Sequence, residues 1–154
     1  MTNIGLQHSD KVVKLLEILL ASESVHSLKI RKYHRNIETM KFKELHVHFE
    51  ELYTASYTRA DEIAERIRTI GSLVPATYQE FLEKSFIEED DEMTTNATDM
   101  IARLLEDKEE IIREVRKMLE EIGDYNDIGT EDLLTGILSV YEKDAWMLRS
   151  MKDS

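Results

Sequence analysis

The sequence predicts an all-α fold, a four-helix bundle carrying one short extra helix in a crossover. Three observations predict it. Apolar residues recur at three- and four-residue spacing through four long segments. Glycine and proline are scarce, five and one in 154 residues, so those segments can run as unbroken helices. The longest connection between segments holds a helix-start signature of its own.

The first segment runs from about Ser9 to Asn36, with Val12, Val13, Leu16, Leu19, Leu20, Val25 and Leu28 at helical spacing. The second runs from about Phe42 to Ile70 on Leu45, Phe49, Leu52, Ala60, Ile63, Ala64 and Ile67, and Gly71 is its stop. In the connection that follows, Thr77 and Glu80 form a capping box ahead of Phe81 and Leu82, which predicts the short helix. The third segment spans about Met93 to Ile122, with Ala97, Met100, Ile101, Leu104, Leu105, Ile111, Ile112, Val115 and Leu119. The fourth spans about Glu131 to Met151, with Thr130 as N-cap and Glu131 and Asp132 favoured in its first turn by the helix dipole. So long a connection between the second and third helices is that of a ferritin-like bundle rather than a simple up-and-down one. The acidic run from Glu88 to Glu92 reads as a solvated turn. Residues 1–154 form one domain, with 1–8 as a short N-terminal tail.

Cysteine is absent, so disulfides and thiolate metal sites are excluded and any metal must use His, Asp or Glu. No leader or membrane-spanning pattern is visible, and a cytoplasmic location is expected. A net charge of −12 repels phosphate backbones and draws in cations. Phosphate-cradling glycine loops and nucleophile elbows are missing too.

The chemistry concentrates in His34, His46, Glu50, Asp61 and Glu65. Two imidazoles and several carboxylates suit iron or zinc. On the second helix, residues 46, 50, 61 and 65 fall within roughly a 100° arc. His46 and Asp61, however, lie roughly 22 Å apart along it, too far to share one ion. An antiparallel first helix brings His34 near His46. Two copies about a two-fold axis then set the histidine end of one chain against the acid end of the other, making two mixed N/O sites. The competing reading pairs Asp61 and Glu65 with Arg59, Arg66 or Arg68 on a solvated face. His48 points away from His46. Glu23-x-x-His26 is a single Glu-x-x-His, whereas di-iron sites inside a bundle use that motif on two helices.

Tyr33-His34-x-Asn36-Ile37, then Phe42-x-x-Leu45-His46-x-x-Phe49-Glu50-Glu51-Leu52-Tyr53, then Asp61-Glu62-Ile63-Ala64-Glu65-Arg66-Ile67 resembles the Dps family of ferritin-like mini-ferritins. The similarity extends through the crossover helix to Glu142–Arg149. The resemblance implies a hollow dodecamer with a ferroxidase site at each end of a two-fold interface, oxidising Fe(II), preferably with hydrogen peroxide, and storing ferric mineral inside. His34 and His46 of one chain with Asp61 and Glu65 of its partner are then the catalytic iron ligands. Glu50 is a further acidic ligand or supports one. Zinc is the substitute metal. The resemblance also places the junction from Gly123 to Asp132 at a three-fold axis, where Asp127 and Asp132, with Asp124 and Glu131, line an iron-entry pore. Arg35 stands where the family has tryptophan, leaving Tyr33 and Tyr53 as the nearest aromatic substitutes. DNA binding is expected to be weak or absent, because residues 1–10 hold no Lys or Arg and only Lys152 follows Arg149. The alternative is a non-catalytic helical assembly or zinc-binding interaction module.

Overall fold

In a computed structural model, which describes residues 2–151, the chain forms α1 (Ser9–Asn36), α2 (Phe42–Ile70), α3 (Tyr78–Lys84), α4 (Ala97–Ile122) and α5 (Ile128–Ser150). Each boundary has a local cause. Gly71 ends α2 in the left-handed region (φ 112°), and the N–H groups of Gly71 and Ser72 return to the carbonyls of Arg68 and Ile67. Thr77 and Glu80 make the reciprocal capping box of α3. Two helix starts differ from expectation. The third long helix begins at Ala97 rather than Met93, because Asn96 accepts from the Asp99 N–H and fixes the first turn there. The last begins at Ile128, with Asp127 and not Thr130 as N-cap: Asp127 Oδ1 accepts from the Thr130 N–H at 3.1 Å. Gly129 fits in that turn because an added Cβ would lie 2.8 Å from the Arg66 guanidinium.

The core falls into two apolar halves. One gathers Leu16 and Leu19 of α1, Ile63 and Ile67 of α2, Ile111 and Val115 of α4, and Leu134 and Ile137 of α5. The other gathers Ile30 and Tyr33 of α1, Phe49 and Leu52 of α2, Met100 and Leu104 of α4, and Leu148 of α5. Helix direction follows from this order. Both α2 and α4 run from the second half to the first, so the chain must travel back along the bundle between them. The segment from 71 to 96 does so, and α3 packs on α1 on the way. The end of the crossover pairs with the α1–α2 turn through Glu38 N–H to Thr95 O at 3.0 Å.

Part of the acidic run is anchored rather than solvated. Asp90 accepts from Tyr33 Oη and, at 2.8 Å, from Arg103. The Lys32 ammonium donates to the carbonyls of Asp90 and Glu92. Burial pushes the Asp90 carboxyl up, but donation from Tyr33, the Glu92 N–H and Arg103 outweighs it and holds it at about 2. The other acids of the run are exposed.

Between the two apolar halves lies a buried polar belt. Glu23, His26, Ser56 and Lys108 are fully buried, and Arg59 and Asp107 nearly so. Tyr141 and Asp144 complete it from α5. Burial, and next the Lys108 charge, lower the His26 pKa from 6.5 to about 4. Its folded value is depressed. Between pH 6.5 and 4 the unfolded chain therefore takes a proton that the folded chain refuses, and stability falls as pH drops. The contribution at stake is of order 3 kcal/mol. His26→Gln is expected to flatten that part of the curve, read as thermal midpoints at pH 7 and 4.5 beside the parent chain. Equal losses in both would refute it.

No described helix is long and apolar enough to cross a membrane.

Candidate metal centre

The antiparallel α1–α2 pair brings His34, in the last turn of α1, onto His46, in the second turn of α2. Their rings stack with centroids 3.7 Å apart and planes 13° from parallel. Each ring is locked to the other's backbone. His34 Nδ1 lies 2.6 Å from the His46 carbonyl, and His46 Nδ1 lies 2.7 Å from the His34 carbonyl. A carbonyl can only accept, so both Nδ1 atoms carry hydrogen. In the neutral ring, both Nε2 atoms are then left with a lone pair, the state in which imidazole binds a metal. Phe42 stacks on His46 at 4.8 Å, and Tyr53 meets His34 edge-on at 5.2 Å. The pair is fixed before any metal arrives. The lock is invisible in sequence, because it uses backbone carbonyls.

Asp61 and Glu65 lie four to five turns along α2 from His46 and are exposed, as is Glu50. The competing ion-pair reading fails for them. Arg59 is committed to Glu23 at 3.3 Å, Arg66 to Asp127 at 2.8 Å, and Arg68 to the Ser72 carbonyl at 2.9 Å. Asp61 and Glu65 make no ion pair among the described residues. Within one chain the imidazoles and these carboxylates stay apart. No three described His, Asp or Glu side chains converge on a point that could hold a metal. Each chain thus carries a histidine pair shared by α1 and α2 and, farther along α2, a separate pair of unpaired carboxylates.

Asp61 stands at the lip of a groove between α1, α2 and α3, lined by Leu28, Tyr57, Ala64 and Leu82. Leu28, Tyr57 and Leu82 are each half exposed or more. The groove therefore sets an unpaired carboxylate beside exposed apolar side chains.

The acidic corner between α4 and α5 divides differently from expectation. Asp127 is buried, with its carboxylate bound to Arg66 and to Thr130 Oγ1. It is a capping and tethering group and does not present charge to a channel. Asp124 and Asp132 are exposed and Glu131 is partly so. Arg35 is exposed at the end of α1, where the helix dipole favours a cation. Of the two candidate aromatics, Tyr33 has its hydroxyl committed to Asp90, whereas Tyr53 touches the histidine pair. His48 lies apart from that pair, with Nδ1 3.7 Å from Glu51.

A ferritin-like domain family matches residues 13–153. DNA protection during starvation protein 2 of Bacillus anthracis is 41% identical over 140 residues, covering 91% of this chain and 95% of that protein. Among solved structures, Dps from Staphylococcus aureus superposes with a TM-score of 0.91 at 30% identity, covering 97% of this chain and 99% of that one. Dps from Vibrio cholerae O1, described as a member of a broad superfamily of ferritin-like diiron-carboxylate proteins, superposes with a TM-score of 0.89 at 29% identity, covering 97% and 98%. Helix order, crossover and sequence agree, and the chain belongs to the Dps family of ferritin-like proteins.

Proposed function

We propose that the protein is a ferroxidase and iron-storage protein, acting in the cytoplasm, whose sites are completed across a two-fold interface. The observation that carries this reading is the locked His34–His46 pair at one end of α2 with unpaired Asp61 and Glu65 at the other. His34 and His46 of one chain bind Fe(II) through Nε2. Asp61 and Glu65 of the partner copy supply the anionic oxygens that stabilise Fe(III) more than Fe(II), and Glu50 adds a carboxylate one turn after His46. Two Fe(II) ions give one electron each to one hydrogen peroxide. The O–O bond breaks, both oxygens reach the level of water, and no hydroxyl radical leaves the site. Hydrolysis of the ferric product gives an oxyhydroxide that a closed shell retains, and releases protons to solvent. The test is anaerobic Fe(II) with peroxide. Ferric absorbance should grow rapidly at two Fe(II) per peroxide. A chain that assembles and gives no growth above buffer is the non-catalytic assembly instead.

Closed symmetry and the family together predict a particle of about twelve chains of 18.0 kDa. Sedimentation at physiological salt showing only monomer or dimer would contradict it. With a net charge of −12, attraction to DNA should be absent. A gel shift at low salt should leave DNA free, and a tight, salt-sensitive complex would contradict that.

Iron entry past the α4–α5 corner is assigned to Asp124 and Asp132, with Glu131 beside them. Replacing Asp124 and Asp132 by Asn should slow uptake several-fold at low ionic strength, and the difference should shrink as salt screens the field. Uptake at the parent rate at low salt would place entry elsewhere.

A further inference from the structure

One cation of α2 is built into the corner between α4 and α5. Arg66 directly follows Glu65, and its side chain crosses to the start of α5. Nη2 donates to Asp127 Oδ1 at 2.8 Å and Nε to Thr130 Oγ1 at 3.1 Å. The Thr130 hydroxyl donates in turn to Asp127 Oδ2 at 2.7 Å, which closes a ring of three side chains. The Thr130 N–H adds a fourth bond, to Asp127 Oδ1 at 3.1 Å.

The backbone is shaped to receive this guanidinium. Asn126 lies in the left-handed region at φ 57°, and the residue after it, Asp127, is buried while Asp124 and Asn126 stay exposed. A Cβ at Gly129 would lie 2.8 Å from Nη2, 2.9 Å from Nη1 and 3.0 Å from Cζ, so the guanidinium lies across bare backbone. Gly129 is helical and has no positive φ, so glycine is unfavourable there on propensity alone. What the missing Cβ serves is contact with Arg66. A lysine is a point charge, whereas a planar fork reaches Asp127 and Thr130 together and fits flat on Gly129.

Charge at the corner divides accordingly. Arg66 offsets Asp127. Asp124, three residues before it, and Asp132, five after it, keep exposed carboxylates on the segment that Arg66 pins. Two carboxylates draw in a cation best when both face one approach, because their fields then add.

We propose that Arg66 is a positioning residue for iron entry. It holds Asp124 and Asp132 in one place against α2, the helix that carries Asp61 and Glu65, and touches no iron itself. The role rests on the reading given above, in which iron enters past this corner.

Two variants test it without changing net charge or any acid. Gly129→Ala pushes the guanidinium off the turn, and Arg66→Lys keeps the cation but loses the fork. The measurement is the uptake rate of the assembled particle with peroxide, against Fe(II) concentration, at low and high salt. Each variant should raise half-saturating Fe(II) several-fold at low salt and leave the rate at saturating Fe(II) at the parent value. The shift should shrink as salt rises. It should also vanish in a chain already carrying Asp124→Asn and Asp132→Asn, where Arg66 has nothing left to position. A packing defect alone would persist in that background and at high salt. Assembled variants with the parent half-saturation at low salt overturn the proposal, as does a shift that adds fully to that of the Asn pair. If neither variant assembles, the ring supports the shell rather than iron entry, and the proposal is overturned too. An Asn pair that does not slow uptake strikes the entry reading and this role with it. An Asn pair that slows uptake while Gly129→Ala and Arg66→Lys do not leaves entry standing and removes Arg66 from it.

Discussion

Chains carrying His46→Ala and chains carrying Asp61→Ala should each lose rapid Fe(II) oxidation, and a mixture dissociated and reassembled should regain about a quarter of it. Each substitution removes a ligand from every site, so a loss of at least about 100-fold is expected, beyond what supporting residues cost. Recovery follows from geometry. His46 and Asp61 are separated along α2 by roughly 22 Å and cannot serve the same ion in one chain. In a heterodimer, one site receives both altered side chains and the other receives neither. Random pairing makes half the dimers mixed, and each mixed dimer has one intact site of two. The check is the initial rate of ferric absorbance against the fraction of mixed dimers. Mixed dimers that form and stay inactive would end the shared-site reading. The histidine lock adds a control, because His46→Ala also removes the ring stacked on His34 and the bond to the His34 carbonyl while His34 Nδ1 keeps the residue-46 carbonyl, whereas Asp61→Ala leaves the whole lock intact.

Much of this was legible in the sequence, for identifiable reasons. The extents of α1 and α2 followed from apolar spacing and from Gly71, which the backbone uses at φ 112°. The capping box at Thr77 and Glu80 formed as written. Both helix starts that differed were decided by side-chain caps of the Asx type, Asn96 and Asp127. Several residues near each start could cap, and only the packed corner selects one. The placement of His34 beside His46 needed only an antiparallel pair joined by a short turn.

What the sequence hid was which charges are spent on each other. Arg59, Arg66 and Arg68 share α2 with Asp61 and Glu65, and Arg68 stands three residues after Glu65, yet Arg59 turns to Glu23, Arg66 to Asp127 and Arg68 to the Ser72 carbonyl. Asp127 reads in sequence, with Asp132, as a leading pore acid at the corner, whereas its long-range partner Arg66 lies on α2. Asp90 looked like one of five acids in a turn, and Tyr33 and Arg103 single it out. The belt left one visible trace: Lys108 sits on the apolar stripe of α4 between Leu104, Leu105 and Ile111, where a charge has no business unless it is paired.

That pairing sets the largest stability effect in the chain. Glu23→Ala is expected to destabilise the fold by about 3–5 kcal/mol, the cost of leaving a buried charge without its partner. Glu23 accepts from Ser56 Oγ at 2.5 Å, from Arg59 Nε at 3.3 Å and from Tyr141 Oη. Removing it strands the Arg59 guanidinium, whose Nη2 already lacks a partner, and takes the acceptor from the buried Tyr141 hydroxyl, while Ser56 Oγ keeps only the residue-23 carbonyl at 3.3 Å. For a chain of this length the loss corresponds to a fall of roughly 10 °C in thermal midpoint at matched protein concentration. Arg59→Ala alone should cost a similar amount, because it strands Glu23 instead. The double variant should cost clearly less than the sum, since each change removes the charge the other strands. A Glu23→Ala chain within about 1 kcal/mol of the parent would mean that water, and not Arg59, satisfies the centre of the bundle.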